Sequence, residues 1–315
     1  MFKRFLKALR QQIQNIKVDS AQRKVEAKTI PRLEAAVLYN RDNVPVFAPD
    51  GFPEFATPYV DKWAHNTEGF AKAVAVVQHL LGIKSDGFCG PATIHAMAVR
   101  DRESVGTNSI LIGPRAYLMS VPVVTYVDAP ELEGIPARTR VHKMRQVVMH
   151  YDVTFNSRST LQVLRRRNLS YHFLIDGDNE ATIYQTHNPT THVCFHAGSA
   201  NNHSVGVCLN NPADPSYQDR DTQQRGRERP VRIASVHGGH VELLDFFPEQ
   251  IESANELVPI LCDALSIPRK VPRDIRGNPR KEVINADAFD GVLGHYHLTR
   301  SKIDPAPLDW EDLSL

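Results

Sequence analysis

Apolar residues recur along this chain at two periods, and the change from one to the other divides it. Within residues 2–16, Phe2, Phe5, Leu6, Leu9, Ile13 and Ile16 return every three or four positions with lysines and arginines between them, the spacing of an amphipathic cationic helix. Over residues 29–60 the prolines at 31, 45, 49, 53 and 58 predict extended, irregular chain. Helical spacing returns from Glu68 to Leu81, with Phe70, Val74, Val77 and Leu81 on one face and Gly82 where a C-cap would stand. A second helix is predicted from Pro91 through Ile94, Met97 and Ala98, proline being favoured at the first helical position. Residues 102–140 carry short apolar runs, SILIG and YLMSVPVVTYV, among prolines and charges, and read as a connection. Beyond them RQVVMHY, SYHFLID, ATIYQ and SVGVCL are short and β-branched or aromatic, and predict strands. Ser157–Arg167, with Leu161 and Leu164 inward, and Pro248–Leu265, with Ile251, Leu257, Ile260 and Leu261 apolar, predict helices. The order predicts an α/β domain, a mixed central sheet flanked by helices, behind a small all-α N-terminal module.

Four segments follow: a cationic helix over 1–28, a helical module over 29–105, a linker over 106–140 and a large domain over 141–315. At 42% hydrophobic and 23% charged residues the composition is that of a globular protein, and no apolar run approaches the roughly 20 residues that span a bilayer. Residues 1–28 hold eight basic groups against two acids, so a chain of formal charge +1 carries +6 at its start and −5 over the remainder. That helix either packs on its own protein or a partner, or meets an anionic membrane or envelope surface. Lys7 interrupts the opening apolar stretch, so no signal-peptide core forms, and synthesis in the cytoplasm is expected. The four cysteines are widely spaced, without a CxxC pair, and are expected as buried free thiols. A monomer is expected, and no nucleic-acid partner.

Between the two helices of the module lies KSDGFCG. Residues 76–99, VVQHLLGIKSDGFCGPATIHAMAV, resemble a small helical peptidoglycan-binding domain marked by Q-x-x-L-G and then D-G-x-x-G-P-x-T. Gly87 and Gly90 allow the tight turn, Asp86 can close it, and Thr93 can hydrogen-bond within the first turn of the second helix. The resemblance implies substrate binding by Asp86, Gly87 and Thr93; a helix hairpin without a ligand would use the same turn chemistry.

His150 closes the apolar strand VVM, and His295 closes GVLG, with Lys302 and Asp304 in the loop beyond. Two strand-end histidines and a loop carboxylate suit Zn²⁺, which in catalytic sites takes three protein ligands and keeps a fourth position for water. Taken singly, a strand-end histidine is more often a surface or hydrogen-bonded residue. In order, HYD (150–152), SYHFLIDGDNEATIYQ (170–185), THVCFHAG (191–198), NNHSVGVCLN (201–210) and GHYHLTRSKIDP (294–305) resemble the zinc-dependent N-acetylmuramoyl-L-alanine amidases. That family includes phage amidase-lysozymes, bacterial anhydromuropeptide amidases and animal peptidoglycan recognition proteins, and the resemblance spans roughly residues 141–310.

The resemblance implies that His150, His295 and Asp304 bind zinc, that Tyr171 points into the site, that Lys302 is catalytic and that His196 lines the substrate groove. It implies hydrolysis of the bond between N-acetylmuramic acid and L-alanine by a zinc-activated water, and lysis of cell wall outside the cytoplasm, as by a phage endolysin. Some relatives place a glutamate base after a strand like SVGVCL; here the chain reads VCLNNP, and the base is left open. The pattern is also departed from after Leu209, where a polar insertion over about 211–240, with Arg225, Arg227 and Arg229, reads as a long loop, either solvated or a lip over the groove. A non-catalytic recognition protein is the competing reading, against which the full ligand set argues. A Cys–His hydrolase built on Cys194 and His196 lacks anything nearby to lower the thiol pKa.

Overall fold

The computed structural model describes Ile30 and residues 32–315; the cationic helix expected over residues 1–28 lies outside the described residues. Among these no helix is long and apolar enough to cross a membrane. The small module is helical throughout, and here the expectation of irregular chain is corrected. Helix α1 spans Leu33–Phe47 and α2 Thr57–Val60, because Ala36, Asn40, Val44 and Phe47 fall on one buried face whatever the local prolines prefer. Pro45 stands in the last turn of α1, where its missing N–H removes only one backbone bond. Helix α3, Glu68–Leu80, is capped by the Thr67 side chain, which accepts from the Phe70 amide, and α4 runs Pro91–Val105 behind Gly90. Phe47, Phe70, Val74, Val77, Ile94 and Met97 share the module's core.

Residues 106–140, expected as a linker, are instead built into the body of the protein. Strands β1 (Ser109–Ile112) and β2 (Arg115–Leu118) form a hairpin, and β3 (Val123–Thr125) joins the central sheet. The hairpin is clasped on the sheet side. The Gln185 side chain exchanges two hydrogen bonds with the Leu111 backbone at 2.8 and 2.6 Å, and Asn188 exchanges two with Gly113 at 2.9 and 2.7 Å. On its other side Gly113, at φ +58°, lies so close to the Phe47 carbonyl that a Cβ would stand 2.7 Å from it. The sequence could not announce β3, a three-residue strand whose pairing is wholly non-local.

The expected mixed sheet is present. Its six strands run in the order β12–β5–β9–β6–β7–β3, with β5 Gln146–Tyr151, β6 Phe173–Ile175, β7 Ile183–Gln185, β9 Ser204–Leu209 and β12 Gly291–Gly294. The first four are mutually parallel; β6 and β7 are antiparallel. A small outer pair joins β4 (Ala137–Thr139) to β8 (His192–Cys194). Alternation along the strands sends Val147, Met149, Phe173, Ile175, Val205, Val207 and Val292 to one face, against Leu257 and Leu261 of the long helix Pro248–Ala264. The opposite face carries Val148, His150, Leu174 and Cys208, and α5 (Ser157–Arg167) covers part of it with Leu161 and Leu164. What α5 leaves uncovered becomes the site.

The insertion is also folded, correcting the expected loop. Helix α6 covers Gln218–Arg225, and β10 (Val231–Val236) and β11 (Gly239–Leu244) form a hairpin. Its arginines point inward. Asp221, wholly buried, accepts from Arg225 Nε at 3.1 Å and Arg229 Nε at 2.9 Å, and Arg225 reaches Asp176 at 3.2 Å. Arg227 pairs with Glu249 at 2.9 Å. These groups hold the insertion to the sheet and are not free to meet a ligand. All four cysteines are buried free thiols, as expected.

Candidate metal and catalytic site

Because β12 and β5 are parallel neighbours, their C-terminal ends bring His150 and His295 side by side. The loop after His295 folds back, its Asp304 carbonyl accepting from the Tyr296 amide at 3.0 Å, and so delivers the Asp304 carboxylate to the pair. His150 Nδ1 stands 3.2 Å from His295 Nδ1, and each lies 3.0 Å from Asp304 Oδ2. These three are the one group of histidine, cysteine and acidic side chains among the described residues whose donor atoms cluster tightly enough to hold a metal ion. The triangle fits zinc: ligand bonds of about 2.0–2.1 Å in a tetrahedron put donor atoms roughly 3.3–3.4 Å apart. Burial pushes His150 down to about 4, so it stays neutral and able to ligate. Burial acts to raise the Asp304 carboxyl, but its contacts with His150 and His295 outweigh it and hold the group below the usual carboxylate range.

Tyr171, in the turn before β6, sets its ring 4.8 Å from that of His150. Burial, with the Asp304 charge adding to it, raises its phenol well above 10, so the hydroxyl remains protonated. Lys302 is exposed; its charge contributes to depressing His150, and its backbone carbonyl accepts from His237 Nε2 at 2.8 Å. Cys208 sits directly opposite His150 in the β5–β9 register, hence on the same face. Burial raises its thiol well above 9, so Cys208 supplies no base there.

His196, which the resemblance sets along the substrate groove, is buried and stands beside His150, with Nδ1 3.0 Å from His150 Nε2. It lies flat on Gly206 of β9, where a Cβ would come within 2.8 Å of the imidazole. A glycine inside the apolar strand SVGVCL was the available signal for such a close approach. Arg140, also missed, is wholly buried without a carboxylate partner. Its guanidinium donates to the carbonyls of Pro189, His192, Asn202 and Ser204, and burial lowers it to about 10. Cys194 is 3.7 Å from His187 Nδ1 rather than against His196, and burial pushes its thiol up to about 12, which removes it as a nucleophile.

In the helical module, Asp86, Gly87 and Thr93 converge on Gln78 rather than on a surface. Gln78 Nε2 donates to Asp86 Oδ1 at 3.0 Å and to Thr93 Oγ1 at 2.9 Å, and its Oε1 accepts the Asp86 and Gly87 amides at 2.9 Å each. Thr93 donates to the Phe88 carbonyl, and Asn40 of α1 donates to that of Gly87. The polar groups expected to bind substrate are occupied in closing the turn. A polar cavity of about 420 Å³ lies against the insertion, lined by Asn156, Asp176, Asp178, Tyr184, Gln224 and Arg225 among others, and none of the expected site residues borders it.

The profile of the N-acetylmuramoyl-L-alanine amidase family matches residues 140–307, more than half of the chain. No curated protein sequence matches. Among solved structures, AmiD of E. coli, in complex with an anhydro-N-acetylmuramic acid peptide, is 18% identical with a TM-score of 0.37, over 54% of this chain and 56% of that one. The chain thus spans little over half of AmiD's length. The amidase LysC of Clostridium intestinale is 16% identical, TM-score 0.35, over 60% of this chain and 93% of that one. Drosophila peptidoglycan recognition protein SD is 15% identical, TM-score 0.35, over 62% and 98%.

Proposed function

This chain belongs to the N-acetylmuramoyl-L-alanine amidase family, and from that premise we propose that it cleaves the amide between N-acetylmuramic acid and L-alanine in peptidoglycan with a Zn²⁺ ion held by His150, His295 and Asp304. The observation that carries the zinc reading is the triangle of His150 Nδ1, His295 Nδ1 and Asp304 Oδ2, with sides of 3.2, 3.0 and 3.0 Å. Zinc bound there would polarise the scissile carbonyl and acidify the attacking water. The chain's own residues then have separable tasks. Tyr171, kept protonated by burial, is a hydrogen-bond donor for the oxyanion that develops as water adds to the carbonyl. Lys302 brings a positive charge near enough to act on His150. Cleavage of the C–N bond leaves a carboxylate on the lactyl group and an amine on L-alanine, which takes up one proton.

The substrate is a wall polymer, so the site of action is the cell wall, beyond the cytoplasm. Purified peptidoglycan tests the reading directly. New L-alanine amino termini should appear without new reducing sugar ends, a chelator should stop their release, and added zinc should restore it. Release of reducing ends instead would remove the amidase reading, and chelator-insensitive cleavage the zinc reading. Binding of peptidoglycan with no cleavage at all is the behaviour of a recognition protein.

A further inference from the structure

Behind His150 runs a chain of polar groups whose last member has no hydrogen to give. The Ala200 carbonyl accepts from the Ser204 hydroxyl at 2.8 Å. Ser204 therefore directs its one proton there and meets His196 Nε2, 3.4 Å away, with a lone pair. Nε2 must carry the proton of neutral His196, which leaves its Nδ1 an acceptor, 3.0 Å from His150 Nε2. The His150 proton is then on Nε2. Its Nδ1, the nitrogen that faces His295 and Asp304, keeps a lone pair.

With its proton on Nε2, His150 turns a bare Nδ1 toward Asp304 Oδ2, 3.0 Å away, an arrangement that a bound cation would satisfy. His196 is also fixed in place: Gly206 lets the ring lie against the sheet, and Asn201 Oδ1 accepts the backbone amides of His196 and Ala197 at 3.0 and 2.7 Å. His150, His196 and Ser204 are all buried, so water does not compete for these links.

We propose that His196 is a positioning residue that fixes the tautomer and ring plane of His150, so that Nδ1 is presented to the metal ion. The inference rests on the zinc reading above. A His196 that merely filled space would change stability and leave metal affinity alone.

The test measures zinc affinity of the full chain by competition with a chromophoric chelator, alongside thermal unfolding. His196→Leu, folded, should bind zinc about 10- to 100-fold more weakly. His196→Asn, whose side-chain oxygen can accept where Nδ1 does, should recover most of that loss. In the zinc-loaded wild type, ¹⁵N spectra of the imidazoles should place the protons of both His150 and His196 on Nε2. Leu and wild type binding zinc equally, or a proton on His196 Nδ1, would overturn the proposal; the spectra decide the matter if the Leu variant does not fold. A wild type that binds no zinc would instead defeat the metal reading itself.

Discussion

His150 reaches its role through two neighbours that could not be more different in how far a sequence reveals them. Asp304 stands nine residues after His295, in a loop that begins at a strand end, and that placement was readable. His196 depends on Gly206, in a strand whose pairing with β5 only the fold establishes, and on Ser204 two residues earlier. The three residues of the candidate metal site were therefore legible as a cluster, whereas the packing of His196 behind them was not. Asp304→Ala should abolish both zinc binding and amide cleavage while the chain still unfolds cooperatively; retained zinc at equal affinity would refute the ligand assignment. Tyr171→Phe should lower kcat by roughly 10²–10³-fold with little change in KM, the loss typical of an oxyanion donor. Steady-state kinetics on a soluble muropeptide separate the two constants.

Elements were legible where one period held over a dozen residues, as in α5 and the helix Pro248–Ala264, and illegible where local composition opposed the tertiary demand. Helix α1 carries a proline in its last turn and a buried asparagine in its middle, yet it forms because its apolar face closes the module's core and Asn40 secures the Gly87–Cys89 turn. The insertion after Leu209 looked solvated because its arginines and the acids they meet are spread over Asp176, Asp221 and Glu249. Arg229→Met, which leaves Asp221 buried with one partner fewer, should destabilise the protein by about 3–5 kcal/mol, read from denaturant unfolding. A loss below 1 kcal/mol would mean the insertion is not anchored there. Gln78→Leu removes the side-chain hydrogen bonds that close one buried turn and should cost about 2–4 kcal/mol on the same measurement, with metal binding unaffected.

At the scale of the molecule, buried histidines set the response to acid. Burial holds His187 at about 3 and both His150 and His297 at about 4, against 6.5 for the free side chain. The unfolded chain therefore takes up these protons first, between about pH 6.5 and 4, and stability falls as pH drops through that window. Asp152, raised by burial to about 6, and Asp101, raised likewise, work the other way, but His172 and His196, also held low by burial, add to the histidine side. The metal-free protein should accordingly melt at progressively lower temperature from pH 7 to pH 4; a constant or rising midpoint would show that the histidines are not buried neutral.

The β1–β2 hairpin has a mechanical consequence. A flexible tether would let a hydrolase sweep a volume around its anchor, with a reach set by chain length. Here Gln185 and Asn188 grip the hairpin from the sheet, and Phe47 of α1 abuts Gly113 from the other side. Any surface of the helical module that rests on a polymer would therefore hold the His150–His295–Asp304 cluster at one fixed offset and orientation from it. Cutting would then be registered to the lattice of the substrate rather than distributed around the point of attachment.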